Sequence, residues 1–519
     1  MTRRRVRGAG RSRQRLVDAL QDPRCYPHDV GEIRVVETHI SWVFLTGELA
    51  YKIKKPVKLP FLDFSTLRRR RHFCEEELRL NRRLAPDLYL AVVPIGGSTG
   101  APQIGGTPAV EYAVRMRQFA DAARLDRRLA ANAVPAAALH TFAARLARFH
   151  VGLTPIVVPS TGSAADVARA NLAQLEPLTH GPDRDAWHAL TKWTERECAA
   201  LGTVFRARAT AGAHRDCHGD LHLENLLLQS GEIVAFDALE FDRRLREIDT
   251  MSETSFLMMD LIAHGRSDLG YTFLNHYLEV TGDYGAIDVL RFYLVYRALV
   301  RAKVCAIKAA QHPHTARHRP FGPYLETAQT LSARPRRPLL LITHGLSGSG
   351  KTHVTTELVA RLPALRLRSD LERKRLHGLA TDARTHSAVG EGLYAAAPSR
   401  RTYAELGKHA DRALRHGFDV IVDATFLRAA ERAAFRQIAA ANAARFAILD
   451  CTASESELRR RIVARAAAAR DASEANLEVL AQQLRDRQPF DHTDRNATIR
   501  IDTQRGVRYG PLLAALASR

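Results

Sequence analysis

The stretch "HRDCHGDLHLEN", residues 214–225, holds two candidate catalytic aspartates. A kinase-type phosphotransfer loop separates its base from a metal-binding asparagine by five positions. The carboxylate must meet the acceptor hydroxyl while the amide turns back to the Mg²⁺ beside the phosphates. Asp220 and Asn225 have that separation, whereas five residues after Asp216 stands Leu221, which cannot ligate a metal. Asp220 is therefore the candidate base. The apolar run "IVAFD" then ends in Asp237, a second metal carboxylate at the end of a strand. A lone His-Gly-Asp would be read as a turn with a capping aspartate. The three groups together point to Mg²⁺-dependent phosphoryl transfer.

A second phosphate-handling signature follows. Gly345-Leu346-Ser347-Gly348-Ser349-Gly350-Lys351-Thr352 fits the P-loop pattern completely, between a predicted strand and a predicted helix. The glycines let backbone N–H groups curl around phosphates and the helix N-terminus favours negative charge. In that arrangement Lys351 reaches the β/γ-phosphates and Thr352 coordinates Mg²⁺. "VIVDATF" places Asp423 at the end of a buried strand, a Walker-B-like position for the metal.

These groups need elements to position them. "LSARPRRP", residues 331–338, breaks helix with two prolines and puts a domain boundary near 335. Beyond it, "LLLITH" (339–344), "LRLRS" (365–369), "DVIVDATF" (419–426), "RFAILD" (445–450) and "ATIRID" (497–502) read as strands separated by helices. Such alternation predicts an α/β domain over 335–519 with a mainly parallel five-stranded sheet. Before the seam, strands are predicted at 32–39, 41–47, 49–55, 88–96 and 110–117, a helix at 65–84, and mostly helix from 121 to 333. A small sheet-rich lobe followed by a helical one predicts an α+β two-lobed domain over 16–334, and the spacing of Asp220 and Asn225 makes its loop protein-kinase-like. Residues 1–15, with arginines at 3, 4, 5, 7, 11, 13 and 15, are expected to form a basic disordered tail.

The bulk numbers narrow the class. With 46% hydrophobic and 26% charged residues, the chain has the balance of a soluble globular protein. No apolar run is long enough to suggest a membrane span, and no apolar signal core follows the basic N-terminus, so a cytoplasmic location is expected. The net charge of +21 favours anionic ligands such as nucleotides. The six cysteines are scattered without metal-ligand spacing and are read as reduced. None of the 22 histidines forms a dense metal pattern. His218 is expected to brace the catalytic loop, and His222 to be structural.

"HGDLHLENLLL…IVAFDALEFD" resembles the aminoglycoside phosphotransferases. Adding "ETHISWVFLTGELAYKIKKPVKLPFLDFSTL", "LNRRLAPDLYL" and the P-loop, the chain is similar, from about 16 to 505, to the bifunctional aminoglycoside phosphotransferase/ATP-binding proteins. The resemblance implies ATP and Mg²⁺ as cofactors and an ATP-gripping lysine, Lys52. Lys54, two residues on and so on the same strand face, is its rival. Glu75, Glu76 and Glu77 could pair with it, and Glu77 matches the family position best. No G-x-G-x-x-G precedes Lys52.

The second half resembles small P-loop kinases of the polynucleotide-kinase, gluconate-kinase and zeta-toxin kind. This implies Asp370 as a substrate-side base and Arg461 and Arg465, one helical turn apart, as lid cations. Asp370 could instead be a helix cap, and the arginines a solvated face. The expected activity is ATP-dependent kinase chemistry at two nucleotide sites, with a small-molecule hydroxyl acceptor of unread identity. The alternatives are 5′-phosphorylation of a polynucleotide by the P-loop half, or an ATP-binding regulator with one idle site.

Overall fold

The computed structural model describes residues 14–59, 62–156, 163–311, 321–333, 337–380, 383, 396–468 and 475–518. Of the expected tail, residues 1–13 lie outside these, while Gln14 and Arg15 open a helix, α1 (14–19). The chain divides into two compact units. Unit 1 comprises Met1–Ala138, Leu153–Gly162 and Ala209–Glu253, and unit 2 comprises Leu139–Gly152, Ser163–Arg208 and Thr254–Arg519. Among the described residues no helix is long and apolar enough to cross a membrane.

Unit 1 is built on β1 (Arg34–Glu37), β2 (Ser41–Leu45), β3 (Leu49–Lys54), a short hairpin of β4 (Lys58–Leu59) and β5 (Leu62–Asp63), β6 (Tyr89–Ser98), β7 (Ala101–Ile104) and β8 (Glu111–Arg117). Six of these form one antiparallel sheet in the order β1-β2-β3-β8-β6-β7. Side chains alternate across it. Tyr51 and Ile53 of β3 join Phe44, Ile95 and Ala113, packed with Leu16 of α1 and Leu20 just after it. Ala50 points the other way, to Cys74 of α2 (Leu67–Asn81), with Tyr89 and Val114. Lys52 and Lys54 share that second face.

Helix α2 starts at Thr66, whose hydroxyl accepts the Arg69 N–H at 3.3 Å. A buried ion pair pins it to β8, with Arg70 Nε 2.9 Å from both oxygens of Glu111. After α3 (Leu125–Ala130) and α4 (Ala136–Gly152), the chain enters unit 2. It returns through β9 (His214–Asp216), β10 (Leu226–Gln229), β11 (Glu232–Ala235) and β12 (Glu247–Asp249). These pair as two antiparallel ribbons, β10 with β11 and β12 with β9.

Unit 2 holds α5 (Ala164–Leu175), α6 (Pro182–Thr210), α7 (Thr250–Ala263), α8 (Ser267–Thr281), α9 (Ile287–Gln311) and α10 (Gly322–Ser332). The first residues of α4 and α7 and the last two of α6 belong to unit 1. Beyond 335 the strands are β13 (Leu339–His344), β14 (Ala364–Arg368), β15 (Asp419–Asp423), β16 (Arg445–Thr452) and β17 (Thr498–Asp502). They form an all-parallel sheet in the order β14-β15-β13-β16-β17.

β13 is buried along its whole length, which explains why it reads as an uninterrupted apolar run. The crossovers carry α11 (Lys351–Val359), α12 (Ser369–Leu376), α13 (Ala396–Arg415), α14 (Ala429–Ala441), α15 (Glu455–Ala468), α16 (Leu477–Asp486) and α17 (His492–Ala497), with α18 (Tyr509–Ala517) last. Val354 and Leu358 of α11 and Leu512 and Leu516 of α18 pack against Leu339 and Leu341.

The Arg70–Glu111 pair makes a stability prediction. Arg70→Met leaves a buried carboxylate without its partner and should cost about 3–5 kcal/mol in denaturant unfolding. Arg70→Met with Glu111→Leu removes the stranded charge and should recover most of that loss. A double variant no better than the single one contradicts the assignment.

Candidate active sites

In unit 1 the sheet, α2 and the loop after β11 converge on one buried carboxylate. Glu77 is 0% exposed. It is ion-paired to Lys52 Nζ at 2.8 Å and to Lys54 Nζ at 2.7 Å. The two lysines then diverge. Lys52 reaches Asp237 at 2.5 Å, whereas Lys54 is wholly buried against Glu240 and lies 5.0 Å from the Phe64 ring centre. Lys52 is thus the lysine that meets the candidate metal carboxylate. Burial works against its charge, but Asp237 and Glu77 outweigh that and hold its pKa well above the ordinary lysine value. Burial likewise opposes ionisation of Glu77, yet Lys52 and Lys54 bring its pKa down to about 2. Glu75 and Glu76 pair instead with Arg71 and Arg79.

The loop bearing Asp237 is held residue by residue. Phe236 N–H donates to the Asn225 carbonyl at 3.0 Å, and Leu239 N–H to the His218 carbonyl at 3.0 Å. Asp237 N–H donates to the Tyr89 hydroxyl at 3.1 Å, and Ala238 N–H to Asn81 Oδ1 at 2.9 Å. These bonds hold Asp237 at φ 62°, a left-handed conformation that a non-glycine residue rarely adopts.

Asp220 and Asn225 are directly joined. Asn225 Nδ2 donates to Asp220 Oδ2 at 2.9 Å and to its carbonyl at 3.0 Å, so the carbonyl oxygen of the amide is the atom with ligand character. His222 Nε2 lies 3.2 Å from Asp220 Oδ2. Gly219 has φ 89°, and a Cβ there would lie 2.9 Å from the Leu245 carbonyl. Beneath the loop, Glu253 at the start of α7 accepts the His218 and Gly219 N–H groups at 2.9 and 2.6 Å. Asp216 sits on β9 instead, where Arg246 Nε donates to it at 2.6 Å and Arg83 to its carbonyl at 2.6 Å. It is part of a structural ion-pair cluster.

In unit 2 the second set of candidates lines one cleft of about 630 Å³. Gly348, Lys351, Thr352, Asp370, Asp423, Arg461 and Arg465 share it with Arg373, Tyr403 and Gln483. The cleft opens at the ends of β13 and β15, where a parallel sheet places its ligands. Lys351 Nζ donates to the Gly345 and Leu346 carbonyls, both at 2.9 Å, and burial pulls its pKa below the usual lysine value. Gly348 has φ 83°, and a Cβ there would lie 2.9 Å from the Leu458 carbonyl. Ser347 N–H donates to Gln483 Oε1 at 2.7 Å, and Ser349 is buried behind the loop.

Asp423 is buried and accepts from Thr355 Oγ1 at 3.1 Å. Asp370 lies in the first turn of α12, with Arg368 at the cap position, so it is not the cap; Arg373 is 3.3 Å from it. Arg461 donates to the Gly348 carbonyl at 3.3 Å and to Thr503 Oγ1 at 2.9 Å, and Arg465 to the Ala475 carbonyl at 2.8 Å. The two arginines face the cleft rather than open solvent.

Glu253, Asn81, Tyr89, Glu240, Arg373 and Gln483 had escaped the sequence reading. Two carried a signal: Asn81 lies one helical turn after Glu77, and Glu253 is an acid in the first turn of a largely apolar helix.

The chain therefore joins two phosphotransferase-type folds, one kinase-like and one P-loop α/β. Residues 340–490 match the family described as "AAA domain". The uncharacterized protein Rv2004c of Mycobacterium tuberculosis is 31% identical over 473 residues, covering 90% of this chain and 93% of that protein. The chain belongs to one family with this mycobacterial protein. Among solved structures, a choline/ethanolamine kinase family protein from Mesorhizobium loti is similar over 59% of this chain and 89% of its own, at 14% identity and TM-score 0.38. A gluconokinase from Sinorhizobium meliloti is similar over 35% of this chain and 94% of its own, at 21% identity and TM-score 0.25.

His218 supplies a pH test. Its Nδ1 accepts the Asp220 N–H at 3.3 Å, so Nε2, 2.9 Å from the Phe236 carbonyl, carries the proton and the ring is neutral. Burial pushes its pKa below the ordinary 6.5. The unfolded chain takes up a proton as pH falls through 6.5 while the folded chain resists. The stability contribution is therefore complete above 6.5 and is lost as pH falls toward the lower folded value. Thermal melts from about pH 7.5 to about pH 5 should show a falling Tm. The slope should be shallower in His218→Gln, whose amide can still donate to Phe236. Identical slopes would remove His218 from the account.

Proposed function

We propose that the chain is an ATP-dependent phosphotransferase with two nucleotide sites, each passing the γ-phosphoryl group of Mg-ATP to a hydroxyl acceptor. The observation that carries this reading is the joining of Lys52, Glu77 and Asp237 by ion pairs, next to a loop in which Asn225 binds Asp220. Asn225 and Asp237 offer hard oxygen donors suited to Mg²⁺, and Lys52, oriented by Glu77, would hold the phosphates. Bound Mg-ATP supplies an electrophilic phosphoryl group. Asp220 acts on the other reactant: it accepts the proton of the acceptor hydroxyl and directs that oxygen toward phosphorus.

In the P-loop half the backbone from Gly345 to Gly350 and Lys351 would hold the phosphates, with Thr352 and Asp423 at the metal. The residues fit. Lys351 is half-buried with its Nζ on two backbone carbonyls, and an anion would give its charge a counter-charge. Asp370 faces the same cleft as the base on the acceptor side. Arg465 serves as a lid cation, and Arg461, already on Gly348, sets the loop against α15.

The test is γ-labelled ATP transfer to aminoglycosides, sugars, nucleosides and RNA 5′ ends by the full chain carrying Lys351→Ala, which isolates the kinase-like site. Asp220→Asn should lower transfer by roughly 10²–10⁴-fold, the range for losing a general base, with little change in ATP affinity. Asp216→Asn should retain most of the transfer. Equal losses in folded versions of both variants contradict the assignment of the base.

A further inference from the structure

β14 is the open edge of the parallel sheet, and α8 covers it. Asn275, 1% exposed, donates from Nδ2 to the Ala364 carbonyl at 2.9 Å and accepts the Arg366 N–H on Oδ1 at 2.6 Å. One side-chain amide thus takes two of the backbone groups that a sixth strand would have paired. One turn further along α8, Glu279 accepts Arg366 Nε at 2.9 Å and lies 3.7 Å from Arg368 and 3.3 Å from His276. The Arg366 guanidinium continues to Thr356 Oγ1 of α11 at 2.5 Å. Arg375 of α12 donates to the Glu279 carbonyl at 3.0 Å. It passes over Gly282, where any Cβ would collide with it at 2.2 Å. The C-terminal turn of α8, the negative end of its dipole, therefore gathers guanidinium groups from β14 and α12.

Those connections lead to both sides of the P-loop cleft. α11 carries Lys351 and Thr352, and α12 carries Asp370 and Arg373. We infer that Asn275 and Glu279 are positioning residues of the P-loop site: α8, which precedes residue 335, holds the nucleotide-side and acceptor-side helices in one frame. The inference rests on the reading of that cleft as a phosphotransfer site. Phosphate binding itself is local to the loop between β13 and α11, so losing the frame should disturb the alignment of reactants more than the affinity for nucleotide.

The test uses the full chain carrying Asp237→Ala, so that nucleotide chemistry reports the P-loop site, and measures Mg·ATP binding together with slow phosphoryl transfer from ATP to water. Adding Glu279→Gln should lower turnover by about tenfold or more while Kd moves by less than about threefold. Amide exchange across 364–376 should quicken while β13 stays protected. Thr356→Val, at an exposed position, cuts only the last link and should lower turnover by about two- to threefold, which keeps the test alive should Glu279→Gln fold poorly. Turnover and exchange unchanged in both variants would overturn the inference. A parent chain with no turnover sensitive to Lys351→Ala would instead overturn the reading of the cleft.

Discussion

The kinase-like site depends on the fact that a buried carboxylate must be neutralised where it stands. Glu77 has no access to water, and two lysines from one strand meet it. Because the lysines sit two residues apart on β3, they share a face but differ in depth. Lys54 goes inward to Glu240 and Lys52 outward to Asp237. One strand, one helix and one loop are thereby locked together through charge, and removing Lys54 would leave the buried Glu240 without its lysine. The three carboxylates, Glu77, Asp237 and Glu240, outnumber the two lysines, and the surplus negative charge falls at Asp237, the most exposed of the three. That placement favours a cation at the candidate metal position.

The P-loop cleft solves a related problem in the opposite sense. Lys351 is held among carbonyl dipoles, and burial there disfavours its charge, so the cleft presents a cation where the kinase-like site presents a carboxylate. Around it, Arg461 and Gln483 fasten the loop from α15 and α16, while Asp423 is fixed from α11 through Thr355. Preorganised dipoles and charges of this kind stabilise a transferring phosphoryl group without having to rearrange during the reaction.

How much of this could be read beforehand depended on whether the determinant was local. β13 was legible because a parallel strand buried on both faces reads as a short apolar run, and it begins and ends where "LLLITH" does; β17, buried at one position only, was legible from the strand–helix alternation instead. The spacing of Asp220 and Asn225 was legible because loop geometry fixes it, and the hydrogen bond between them is the physical expression of that spacing. The choice between Lys52 and Lys54 was not, because strand alternation gives the face and not the depth. Depth is set by Phe64 and Glu240, far away in sequence. Asn275 was invisible for the same reason: nothing in an amphipathic helix announces that one of its amides will complete a sheet edge 89 residues later. The alternative of Asp370 as a helix cap fell away because α12 begins at Ser369, two residues before a cap at Asp370 would have started it, and Arg368 takes the cap position.

The central claim is that two independent phosphate-binding machines occupy one chain, and counting bound nucleotide tests it most directly. Calorimetric titration of the full chain with Mg·ATP should give two sites. Lys351→Ala should leave one, Asp237→Ala should leave the other, and the double variant should bind none. A wild-type chain that binds a single nucleotide, lost entirely on Lys351→Ala, would contradict the account and leave the kinase-like half as a scaffold.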